Sequence, residues 1–167
     1  MKRSKVSIVR TPRDPHYEQV YAAVEKAIDL LGGIRQIVKP GQKVLLNPSL
    51  VNTRTRREQA TITLPEVTRA VADVVRKTGA RPIIAESSAI GIDTEKVISE
   101  SGYGQLREMG YEVIDLKKTE TTMFPVKNGK VFSKIETYKL VEEADVIIPV
   151  AKLKTHDQAE LTLSIKK

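Results

Sequence analysis

The chain has 167 residues, 40% of them hydrophobic and 29% charged, which suits one domain with a real core and an ordinary globular composition. It contains no cysteine, so it has no disulfide, no thiolate nucleophile and no cysteine ligand for an iron–sulfur cluster. No apolar run approaches the ~20 residues that span a bilayer, and the start lacks the apolar stretch of a signal peptide; a cytoplasmic protein with no membrane partner is expected.

The net charge of +7 is uneven. Residues 1–57 hold 12 Lys/Arg against 4 Asp/Glu, while residues 58–167 hold 16 against 17. The excess sits at Lys2, Arg3 and Lys5 and again at Arg54, Arg56 and Arg57. Such a patch attracts nucleic acid or another anion, but with 4% aromatics and no tryptophan the chain is poorly supplied for base stacking.

In chain order, "KVSIVR" (5–10) is short, β-prone and bounded by turn formers, and reads as a first strand. "HYEQVYAAVEKAIDLLGG" follows with Val20, Ala23, Val24, Ala27, Ile28 and Leu31 at helical spacing and a Gly–Gly stop. "KVLLNP" (43–48) is the second strand, and the polar, basic loop 52–63 after it is the expected mobile element. "LPEVTRAVADVVRKTGA" predicts a helix with Pro65 in its first turn and Gly79 closing it. "RPIIAE" (81–86), a pair of helical turns over 94–109, and "YEVIDL" (111–116) come next. Asn128–Gly129 inside "FPVKNGKVFSKI" predicts a tight hairpin with positive φ at both turn residues. A helix over 135–144 leads to the last strong strand, "DVIIPV" (145–150).

The strands at 44–46, 83–85 and 146–148 are continuously apolar, as strands buried on both faces are. The alternation of strands and helices predicts a single α/β domain over 1–167. It is a three-layer sandwich with a mostly parallel sheet, helices on both faces and a small β-hairpin excursion.

Open sheets of this kind bind ligands beyond the carboxyl ends of their strands. That rule selects the loops at 47–52, 86–93 and 151–157. They carry Asn47, Ser49, Glu86, Ser87, Ser88, Lys152, Lys154, Thr155 and His156. If the chain stays extended past Val150, Lys152, Lys154 and His156 project to one side. Two cations and an imidazole there suit a carboxylate or phosphate, with Lys154 and His156 as candidate catalytic groups near neutral pH. The blander readings are solvated strand-end lysines, a hydrogen-bonded histidine, and serines that cap the next helix. His156, Asp157 and Glu160 match no compact metal motif, and no glycine-rich phosphate fingerprint follows a strand.

"KVLLNPSLV", "TLPEVTRAVADVVRKTGARPIIAESS", "SGYGQL" and "EEADVIIPVAKLKTHDQAELTLSIKK" together resemble, in that order, the domain-of-unknown-function 362 (DUF362) family. The sharpest part is the apolar strand followed by KLKTH and a threonine-containing run ending in lysine. The resemblance implies a ligand site that includes Lys152, Lys154, Thr155, His156 and Lys166. Asn47 stands where the family has lysine, Ser49 where it has asparagine, Glu86 where it has aspartate, and Lys167 where asparagine is expected. Family members are usually longer and often carry a ferredoxin-like cysteine cluster, so this chain resembles their amino-terminal half, and a redox-linked enzyme is one implied context.

The leading expectation is therefore a domain that binds a small anionic or polar molecule at its parallel strand ends, with no reaction specified. Nucleic-acid binding by the basic first third is the second. The third is a non-catalytic assembly module, because "ELTLSIKK" alternates Leu161, Leu163 and Ile165 with polar residues and must pair with something. A homo-oligomer or a partner chain completing the fold would satisfy that strand.

Overall fold

The computed structural model describes residues 4–52, 61–156 and 160–164. A four-stranded sheet in the order β3-β2-β1-β6 forms its centre. The strands are β1 (Lys43–Pro48), β2 (Arg81–Glu86), β3 (Val113–Asp115) and β6 (Val146–Val150). All three pairings are parallel, with Leu45 level with Ile83 on one side and with Ile147 on the other.

Continuous apolar strands bury side chains on both faces because successive residues point to opposite sides. Val44 and Leu46 of β1 and Ile84 of β2 are at most 1% exposed and pack beneath the helices of the larger face. Those helices are α1 (Tyr17–Asp29), α2 (Pro65–Arg76), α3 (Thr94–Glu100) and α4 (Tyr103–Glu108). Helix α2 lies closest, burying Ala70, Val71, Ala72, Val74 and Val75. Leu45, Ile83 and Ala85 form a second, smaller core with Leu116 and with Leu140 and Val141 of the one-turn helix α5 (Lys139–Glu142). The three-layer α/β architecture is thus present, with one thick helical layer and one thin one.

Several local expectations are corrected. Residues 5–10 belong to no strand: Val6 and Ile8 are 79% and 85% exposed, and no described strand pairs with them. The predicted 135–144 helix is divided: its first four residues belong to β5 (Lys134–Tyr138), which pairs antiparallel with β4 (Thr121–Pro125), and only α5 is helical. The hairpin connection is eight residues long rather than two. Asn128 takes φ 58, whereas Gly129 is needed for space, because a Cβ there would meet the Phe132 carbonyl oxygen. Ser101–Gly102 divides the 94–109 segment into α3 and α4, with Gly102 left-handed at φ 85.

The chain ends in a second small hairpin, β7 (Lys154–His156) with β8 (Glu160–Thr162). Here the expected alternation is inverted. Leu161 and Leu163 are 53% and 44% exposed, and the polar Thr162 is the buried residue.

Candidate functional site

The path β1–α2–β2–α3/α4–β3 winds toward one edge of the sheet, and α5–β6 returns on the opposite face to the other side of β1. The winding reverses between β1 and β6, and such a switch point leaves a crevice at the strand carboxyl ends. A cavity of about 430 Å³ lies there. It is lined by Asn47, Ser49, Glu86, Ser87, Lys154, Thr155 and His156, together with Leu50, Val51, Ala89 and Thr162. Seven of the residues selected from three separate loops therefore meet in one place.

Buried hydroxyls hold those loops in register. Ser49 is fully buried; its N–H donates to Thr63 Oγ1 at 3.0 Å, and its Oγ accepts from the Lys152 N–H at 3.2 Å. Thr63 Oγ1 in turn donates to the Val150 carbonyl at 2.6 Å. The ends of β1 and β6 are thereby fastened through the segment after the basic loop. Ile62 and Thr63, at 6% and 4% exposed, are buried anchors, and residues 53–60 of the loop expected to be mobile lie outside the described residues. Tyr103, fully buried on α4, adds a further clamp by donating to the Thr63 carbonyl at 3.1 Å and sharing a hydrogen bond with Thr68. Burial pushes its phenol far above the usual range, so it stays neutral and serves as a fixed donor.

The loop after β2 is tied in by Ser88, whose Oγ donates to the Leu50 carbonyl at 2.6 Å and whose N–H donates to Thr94 Oγ1 at 3.1 Å. Ser88 does not line the cavity, and its hydrogen bonds are those of a structural brace. The cap of α3 is Asp93, which accepts from the N–H groups of Glu95 and Lys96. Asn47 Nδ2 donates to the Ala85 carbonyl at 2.9 Å, and Glu86 accepts the Ser87 N–H at 2.9 Å.

Beyond β6 the hairpin folds over the crevice. Lys154 stands opposite Thr162 and His156 opposite Glu160. Lys154 Nζ donates to the Thr61 carbonyl at 2.8 Å, which fixes the side chain of this lining residue. Lys152 separates from this group: it lines a larger cavity of about 990 Å³ bounded by residues 7–15, α1 and the end of β6. The expected single row of Lys152, Lys154 and His156 is thus split after Leu153, because β7 begins only at Lys154. Lys166 and Arg54, Arg56 and Arg57 lie outside the described residues.

Thr162 is the residue that sequence reading missed. It is 2% exposed, it lines the smaller cavity, and its Oγ1 has no hydrogen-bond partner among the described residues. The signal that could have found it is the threonine of the run that follows KLKTH in the family resemblance. Among the described residues no group of three or more His, Asp or Glu side chains is placed to hold a metal, and no helix is long and apolar enough to cross a membrane.

A doubly wound α/β domain with a polar crevice at its switch point is the class of protein that fold and site define. Residues 44–167 match the family model described as "Domain of unknown function (DUF362)", and the chain belongs to that family. It is also 31% identical over 164 residues to the "Thylakoid-associated protein sll1697" of Synechocystis sp. (strain ATCC 27184 / PCC 6803 / Kazusa). That alignment covers 96% of this chain and 49% of the relative, so the chain spans about half the relative's length.

Proposed function

We propose that the cavity between β1, β2 and the β7–β8 hairpin binds a small anionic molecule, a carboxylate or phosphate, through Lys154, Thr162 and Ser87. His156 lies within the same wall to accept or deliver a proton. The observation that carries this reading is the buried Thr162 hydroxyl, which has no hydrogen-bond partner among the described residues and lines the same cavity as Lys154. Buried hydroxyls without partners are rare, because each forgoes about 1–3 kcal/mol of hydrogen bonding. A ligand oxygen in the crevice would restore that bond, and the Lys154 ammonium would balance its charge. Lacking cysteine, the chain supplies no thiolate to a redox centre, so any iron–sulfur chemistry in this family context rests on other residues.

The test is a titration of the ¹⁵N-labelled protein with inorganic phosphate and, separately, with succinate. Shifts confined to residues 47–51, 86–89 and 154–162 are expected with at least one of the two. K154A and T162V should each weaken binding by about 10-fold or more, the loss expected for one hydrogen bond to a charged group. If neither anion perturbs these residues, or if both variants bind as tightly as the parent, the reading is wrong.

A further inference from the structure

The larger cavity, of about 990 Å³, is walled mostly by apolar side chains, among them Val20 and Val24 of α1, Ile62, Val67 of α2 and Val150 of β6. Folded chains leave few gaps larger than a water molecule, whereas ligand cavities of about 300–1,000 Å³ combine apolar walls with a few placed polar groups. Hydrogen bonds fix two of the walls. Ser7 Oγ donates to the Ala27 carbonyl at 2.7 Å and moors the amino-terminal segment to α1. The Lys152 N–H donates to the Oγ of the fully buried Ser49 at 3.2 Å and fixes the chain beyond β6. The charged residues in the described lining are Arg13, Glu66 and Lys152, two cations against one carboxylate. Arg13 and Glu66 are exposed, but Lys152 is half-buried, and its Nζ has no hydrogen-bond or ion-pair partner among the described residues.

We propose that this cavity is a second ligand site, which takes a single-chain amphiphile with a carboxylate head, a fatty-acid-like molecule. The tail lies against the valines of α1 and α2, and the carboxylate pairs with the Lys152 ammonium. The apolar walls select the tail, since each methylene moved out of water adds about 4-fold in affinity. Charge complementarity selects the head. One net positive charge in the described lining matches a monoanion. A cationic head would meet two like charges, and a neutral one would leave the partly desolvated Lys152 without a counter-charge. The two cavities share no lining residue, so occupancy of one is read apart from occupancy of the other.

The experiment titrates the methyl-labelled chain with decanoate, octanoate, decanol and acetate, each below the concentration at which it forms micelles or separates from solution. Decanoate should shift the methyl signals of Val20, Val24, Val67 and Val150, and acetate should leave them in place. Decanoate should bind about 10-fold or more tightly than octanoate, from which it differs by two methylenes. Decanol should bind about 10-fold or more weakly than decanoate, and K152A should weaken decanoate by a similar factor while leaving decanol unchanged. Unperturbed methyl signals of Leu45 and Ile83 report that K152A is folded. The proposal is overturned if decanoate leaves the four valines unmoved, or if its shifts are confined to residues 47–51 and 86–89 of the smaller cavity. Equal affinities for octanoate and decanoate overturn the tail assignment. Equal affinities for decanol and decanoate, or a K152A variant that binds decanoate as tightly as the parent, overturn the head assignment.

Discussion

Two buried threonines at the crevice do opposite work. Thr63 Oγ1 both accepts and donates, linking Ser49 to the carbonyl end of β6, whereas Thr162 Oγ1 has no partner among the described residues. Replacing each with the isosteric valine therefore changes stability in opposite directions. T63V strands the Ser49 N–H and the Val150 carbonyl and should cost about 1–3 kcal/mol in urea unfolding. T162V removes a desolvated hydroxyl that gains nothing from folding and should be neutral or stabilising by up to about 1 kcal/mol, while it weakens anion binding. A destabilisation by T162V comparable to that by T63V would mean that the Thr162 hydroxyl is already satisfied. A site residue that lowers stability in the free protein is the expected mark of function, since evolution tolerates an unmet hydrogen bond where a ligand supplies it.

The packing of α1 on α2 depends on a polar cluster with its own pH signature. Asp73 of α2 accepts from Tyr17 of α1 and, at 2.6 Å, from Tyr111 just before β3. Arg69 lies 3.7 Å over the Tyr17 ring. Burial first, and then the hydrogen bond to the Asp73 carboxylate, push the Tyr17 and Tyr111 phenols above their ordinary value of 10.0. A pKa raised by folding favours the protonated form in the native state. The contribution is therefore complete below about pH 10 and is lost as pH rises beyond it. Urea unfolding at pH 8 and pH 11 should show a loss of stability in the parent and a smaller loss in Y17F; equal losses would place the alkaline transition elsewhere.

This cluster was invisible in the sequence because its members are separated by up to 94 positions and only the fold joins them. The elements themselves were legible where one periodicity dominated. The apolar triplets of β1 and β2 and the valine stripe of α2 declare themselves, since burial on both faces of a sheet or on one face of a helix leaves a fixed pattern; the triplet of β6 marks a strand but not two-sided burial, because Ile147 is 46% exposed. Legibility failed where short segments carried both patterns. "KIETYKLVEE" has helical spacing, yet its first half is captured as β5 by pairing Thr137 with Thr122 and Ile135 with Phe124. "KVSIVR" has strand propensity without a described neighbour to pair with, and propensity alone makes no strand.

At the scale of the whole molecule, topology explains why the three loops meet, since strand ends of a parallel sheet share one edge whatever their side chains. It does not explain the inner wall of the crevice, because the inversion that buries Thr162 follows from the register of β7 with β8, which no residue pattern announced. The same topology makes the two sheet faces unequal, and that inequality is testable at adjacent residues of β1. Leu46 is fully buried beneath α2 and its neighbours, in a core closed by four helices. Leu45, 2% exposed, faces a layer that amounts to α5 and the adjoining hairpin strand. Truncation to alanine removes the same atoms at both sites, so the transfer contribution is equal, and the difference lies in how far the surroundings collapse into the space left behind. A thick, cross-braced helical layer relaxes little; a single helical turn on a short tether relaxes readily. L46A should therefore cost about 4–5 kcal/mol and L45A about 2–3 kcal/mol, at opposite ends of the range for buried leucines. Denaturant unfolding of the two variants decides the matter: equal costs, or a larger one for L45A, would show that the thin layer is as rigid as the thick one.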